Sequence, residues 1–170
     1  APLVADVSAT TGTLAFTFVV VHLVPFADYD NATERETQVT ELYRYLTEDQ
    51  GFLGGESPYV DHVLVAGDFN DTFEGIHDHV DSLDVFESDP GFLFATRDTD
   101  DYTELSYESK IDHLVMTVNL APAYLNAGEL GACHVITHDQ IDPYADYEGG
   151  WGGGQNISSH RPVWIYMDVM

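Results

Sequence analysis

Basic residues are scarce in this chain. Five Lys and Arg stand against 30 Asp and Glu over 170 residues, giving a formal net charge of −25. Lys110 is the single lysine. So few cations exclude a basic groove that tracks a phosphate backbone, because neutralising phosphates takes Lys and Arg. Cysteine is almost missing too. Cys133 stands alone, which excludes an internal disulfide and leaves a small buried hydrophobe as its plain reading. No apolar run reaches the length of a membrane span: the segment from Leu14 to Phe26 is too short, and His22 and Pro25 interrupt it. A basic n-region is absent from the start of the chain as given, so no signal peptide is expected, and a mature or trimmed product fits.

What remains is ample for a core. Hydrophobic residues make up 44% and aromatics 12%, which sets the chain apart from disordered acidic sequences. One domain over residues 1–170 is expected, with no internal repeat and no linker. The charge implies strong self-repulsion at low salt, which a Debye length of about 3 Å at molar salt would remove. Abundant Asp with almost no lysine fits a salt-rich, halophilic setting, and an acidic secreted, extracellular protein carries the same signature. Three sequons, at Asn31, Asn70 and Asn156, are of a kind that arises by chance.

Apolar periodicity outlines the elements. Leu14 to Leu23, with Phe16, Phe18 and three successive valines, reads as a core strand. Thr33 and Glu36 have the spacing of a capping box, and Val39, Leu42, Tyr43 and Leu46 form an apolar stripe, predicting a helix that ends near Gly51. A strand follows over Val60 to Ala66, then a short helix within Phe73 to Leu83. Extended segments are expected near Gly91 to Ala95 and Tyr102 to Tyr107, with strands over Ile111 to Val118, His134 to Thr137 and Pro162 to Val169. The loop holding Gly149, Gly150, Gly152, Gly153 and Gly154 lacks a following Gly-Lys-Ser/Thr, so it reads as a flexible connection and not a P-loop.

Four polar clusters fall at predicted strand ends: His22; Asp68 with Asn70; Asp112 with His113; and Ser159 with His160. The second ends the run Val-Leu-Val-Ala-Gly-Asp-Phe-Asn. Gly67 permits a sharp turn there, after which an acid that takes metal or water lies two residues from an amide donor. An Asx-type turn is the bland alternative. Neighbouring strands of one sheet would gather the clusters at one edge. A histidine beside an acid is what acid–base work near neutral pH requires, since the carboxylate fixes the imidazole tautomer.

In order along the chain, Val21-His22-Leu23, Gly67-Asp68-Phe69-Asn70, Ser109-Lys110-Ile111-Asp112-His113 and Ser159-His160-Arg161-Pro162-Val163 resemble the endonuclease/exonuclease/phosphatase superfamily. The resemblance covers the later, C-terminal portion of that family's domain. It implies an α+β fold, an αββα four-layer sandwich of the deoxyribonuclease-like type, here incomplete, with the later sheet and its helices present. It implies a metal-dependent phosphoester hydrolase, phosphodiesterase- or nuclease-like. His160 would be the catalytic histidine oriented by Asp112, and Asp68 would handle the attacking water or a divalent metal, Mg2+ or Mn2+. Asn70 would orient the scissile phosphate, and His22 would bond a phosphate oxygen. Two departures support an alternative, a non-catalytic binding or assembly protein. Ser159 stands where the family has Asp, and the early Asn and metal-binding Glu do not precede Leu14. The absent half would come from a second chain, or a second copy of this chain would cover an exposed apolar sheet face.

Several residues favour plainer readings. His113 is expected to pack or cap beside Asp112. His77 and His79 flank Asp78 on a predicted helix that cannot put both imidazoles on one face, so a solvated acidic helix is preferred to a metal site. Tyr144, Tyr147 and Trp151 read as packing or interface residues, and Asp98, Asp100 and Asp101 as a solvated loop.

Overall fold

The computed structural model describes residues 2–25, 28–47, 61–75, 81–99, 101–104, 108–125, 133–135, 160–161 and 163–168. Strand β1 (Leu3–Ser8) leads into β2 (Ala15–His22), helix α1 (Tyr29–Thr47) and β3 (Val63–Asp68). The short helix α2 (Asp84–Glu87), β4 (Phe92–Phe94) and a 3-10 turn (Ala95–Asp98) follow. Then come β5 (Asp112–Thr117), α3 (Ala121–Leu125), β6 (His134–Val135) and β7 (Val163–Trp164). The main sheet has the order β1-β2-β3-β5-β4, and β6 and β7 make a separate two-stranded sheet. Only β2 and β3 run parallel within the main sheet, and α1 supplies the crossover that a parallel pair needs.

Alternation along the strands divides the core in two. Val19, Val21, Val63, Val65 and Val115 pack with Val39 and Leu42 of α1 and Phe86 of α2. Phe16, Leu64, Leu114 and Met116 point the other way, where Tyr124 of α3, Val163 of β7, Ile165 and Met167 pack on them. The order is therefore helix, sheet, sheet, within an α+β fold of the αββα type. Phe16, Leu64 and Leu114 are buried, so the sheet face expected to lie open is covered by the chain's own α3 and β7.

Several predicted boundaries shift. Helix α1 begins a turn before Thr33, because Asp28 caps it: its carboxylate accepts from the Asn31 backbone N–H at 3.1 Å and from Asn31 Nδ2 at 2.6 Å. Thr33 lies inside the helix, its hydroxyl donating to the Tyr29 carbonyl at 3.0 Å. A short helix lies at Asp84–Glu87, after an Asx turn in which Asp81 Oδ1 accepts from the Leu83 N–H at 2.9 Å, and residues 76–80 of the segment expected to hold one lie outside the described residues. Phe73 and Glu74 are in a turn closed by Gly75 N–H donating to the Thr72 carbonyl. The extended segment after Tyr102 reduces, in the described residues, to bridges from Glu104 to Ser109 and to His160. The glycine loop, His77, His79, Tyr144, Tyr147, Trp151 and Ser159 lie outside the described residues.

Candidate active site

Strand register assembles the site. Parallel pairing sets Val21 against Gly67 and His22 against Asp68. Antiparallel pairing sets Asp68 against Asp112. His22, Asp68 and Asp112 thus form one row across β2, β3 and β5. They share the pleat face of Phe16, Leu64 and Leu114, the side on which β7 packs.

The row lies where β3 breaks into a turn, and that turn is tied on both sides. The Asp68 carbonyl accepts from the Leu23 N–H at 2.9 Å, and Phe69 N–H donates to the Ile111 carbonyl at 2.8 Å. Phe69 is fully buried beneath it. Asn70 has a φ of 53°, a left-handed conformation that Asn tolerates better than most residues. Its N–H donates to Asp68 Oδ1 at 2.8 Å, and its Nδ2 donates to the Leu23 carbonyl at 3.0 Å. The Asx turn is therefore real, and it fixes the two side chains that the chemistry would use.

His160 arrives from far along the chain. Its Nδ1 donates to Asp112 Oδ2 at 2.8 Å, and its Nε2 lies 3.8 Å from Asp68 Oδ2. A carboxylate only accepts, so the shared proton sits on Nδ1 and Nε2 is turned toward Asp68. One ligand atom from each of Asp68, Asp112 and His160 lies within 4.8 Å of the others. His22 is at the rim, with 73% of its side chain exposed and Nε2 3.6 Å from Asp68 Oδ2.

Electrostatics poise the two central groups. Burial, helped by the Asp112 charge, raises the Asp68 pKa against the pull of its bond from Asn70. For His160 burial favours the neutral ring, but the Asp112 hydrogen bond and the charges of Asp112, Asp68 and Glu104 together outweigh it and lift the pKa. His113 is the opposite case. It is 1% exposed, and burial drives its pKa down to about 4. Its Nε2 donates to the Asp71 carbonyl at 2.9 Å, and its Nδ1 meets the Thr96 hydroxyl at 3.1 Å. That is the packing role expected from the sequence.

A buried layer under the turn escaped the sequence reading. Asp71 is inaccessible to solvent and accepts from Ser82 Oγ at 2.6 Å, Ser82 N–H at 3.1 Å and Thr72 N–H at 3.0 Å. Arg35 of α1, 1% exposed, places Nε 3.8 Å from Asp71 Oδ2 and donates through Nη1 to the Val24 carbonyl at 3.3 Å. A lone Arg on the apolar side of an acidic helix was the available signal, since a buried cation calls for a buried acid.

No protein-family model matches the sequence, and no curated protein matches it. Solved structures do align with it. NExo, a 3′ phosphatase from Neisseria solved with a product DNA hairpin, aligns with a TM-score of 0.59 and 18% identity over 97% of this chain and 64% of that one. An endonuclease/exonuclease/phosphatase family protein from Bacteroides thetaiotaomicron aligns with a TM-score of 0.41 and 19% identity over 61% of this chain and 35% of the other. Truncated TDP2 from Caenorhabditis elegans gives 0.46 and 13% over 78% and 48%. The chain spans between about a third and two thirds of the length of these structures. The chain shares its fold with NExo.

Proposed function

We propose that this chain carries the later half of a divalent-metal-dependent phosphoester hydrolase site, phosphodiesterase- or nuclease-like. One observation carries the reading: Asp68, Asp112 and His160 converge to within 4.8 Å at one end of the sheet, with His160 held by Asp112 at 2.8 Å. NExo's product DNA hairpin supports nucleic acid as the substrate class.

The donor chemistry fits a hard cation, since two carboxylates offer the oxygens that Mg2+ or Mn2+ takes. Asp68, with Asp112 beside it, would hold such an ion, which supplies charge neutralisation at a phosphate. In its alternative role, with no ion on its oxygens, Asp68 is made more basic by burial and aligns or deprotonates the attacking water. Asn70 Nδ2 has two hydrogens; Leu23 takes one, and the other serves a phosphate oxygen. The exposed His22 ring bonds a second phosphate oxygen. His160, kept protonated more readily by Asp112, offsets the charge that develops in the transition state.

The test compares hydrolysis of DNA, RNA and a small phosphodiester with Mg2+ or Mn2+ by the chain and by His160→Ala. A loss of about a hundredfold or more is expected on removing the histidine, with no turnover in chelator. Equal rates would take His160 out of the mechanism. The competing role in binding or assembly draws on Ser159 standing where the resemblance expects Asp. Metal-dependent turnover that needs His160 refutes it.

A further inference from the structure

Asp112 and His160 are 48 residues apart in sequence, so their 2.8 Å hydrogen bond must be held from outside the pair. The segment Tyr102–Glu104 touches both sides of it. Thr103 is fully buried, and its hydroxyl oxygen accepts from the backbone N–H of Ile111 at 3.1 Å and of Asp112 at 3.0 Å. Its carbonyl accepts from the Arg161 N–H at 2.7 Å. Glu104, 5% exposed, bridges antiparallel to His160 and to Ser109. Next door, the Arg161 guanidinium lies 4.5 Å over the Tyr102 ring and donates to the Tyr102 carbonyl at 3.3 Å.

From this we infer that Thr103 is a positioning residue that sets the Asp112–His160 pair. Its side chain fixes the backbone that bears Asp112, and its main chain fixes the backbone that bears His160. A side chain of the same shape without the hydroxyl leaves two buried N–H groups without their acceptor, and the start of β5 must move to find another. The hydroxyl therefore controls a distance across the site without touching substrate. The inference rests on the proposed reading of His160 as the catalytic histidine, held in place by Asp112.

The experiment uses the full chain with Thr103→Val, which removes the hydroxyl, and Thr103→Ser, which restores it. The unaltered chain is expected to show a downfield proton-NMR signal for the His160 Nδ1–H, which should vanish in Thr103→Val and return in Thr103→Ser. In parallel kcat should drop about tenfold with KM unchanged in the valine variant and recover in the serine variant. Should Thr103→Val fail to fold, Tyr102→Leu tests the same clasp: it loosens Arg161 and should broaden the His160 signal and lower kcat. A valine variant that is merely less stable, with signal and kcat intact, overturns the inference, as does an unchanged signal in a folded Tyr102→Leu. The resonance decides the positioning role even if no substrate is turned over, whereas absent turnover in the unaltered chain counts against the proposed activity alone.

Discussion

At the scale of single residues, Gly67 shows how a correct expectation can have a different cause. From the sequence it is expected to be a permissive turn residue. Its φ of 140° is a conformation that side chains rarely adopt, and a Cβ there would fall 2.0 Å from the Val21 carbonyl oxygen. The close approach is to the paired position on β2, so the glycine sets how near β2 and β3 can lie at the row of His22 and Asp68. Gly67→Ala should destabilise the chain by about 3 kcal/mol or more, read from the shift in urea midpoint, because the clash is with backbone that cannot rotate away. A midpoint within error of the unaltered chain would mean that the two strands have slack at the site. Asp68, Asp112 and His22 are legible because each bounds an apolar run, Asp68 and His22 closing β3 and β2 and Asp112 opening β5, where a polar side chain must face a cleft. Asp71 is not, since nothing local separates it from the other acids of so acidic a chain, and only its burial distinguishes it.

At the scale of elements, legibility followed burial. Strands β2, β3 and β5 fill both core layers and so read as continuous apolar runs. The edge strand β1 is mostly exposed and carries Asp6 in its middle, leaving no contrast between faces for a period-two pattern to show. Helix α3 has five residues, too few for a helical stripe. The start of α1 was misplaced because two capping signals compete, and Asp28 wins over Thr33. Within α1, Arg35 ties the helix to the site: its partner Asp71 directly follows Asn70 and holds His113 through its carbonyl. Arg35→Met would leave the Asp71 carboxylate buried without its cation, at a cost of about 3–5 kcal/mol. Pairing it with Asp71→Asn, which removes the stranded charge, should recover much of that loss. A double-mutant cycle by chemical denaturation checks both, and additive effects of the two substitutions would show that the pair is not coupled.

At the scale of the whole molecule, the few cations are all engaged. Arg35 faces Asp71, Arg44 pairs with Glu41 at 2.9 Å, and Arg97 pairs with Glu87 at 3.1 Å. Lys110 donates to the Thr99 carbonyl, and Arg161 covers Tyr102. None is left to offset the remaining acidic surface, so the net charge of −25 acts mainly as repulsion between carboxylates on a compact body. Repulsion of this kind is long-range and weakens as the Debye length shrinks from about 8 Å near 0.15 M salt to about 3 Å near 1 M. The short contacts at buried Asp71, and to a lesser degree the half-buried one between Asp112 and His160, are screened less. Added NaCl should therefore raise the urea midpoint steadily over that range while the His160 Nδ1–H signal stays in place. Glutamate-to-glutamine changes at exposed Glu34 and half-buried Glu36 of α1 should flatten the rise by lowering the repulsion that salt has to screen. A midpoint that stays level or falls with salt would show that the acidic surface does not oppose folding, and would remove the physical ground for placing the protein in brine.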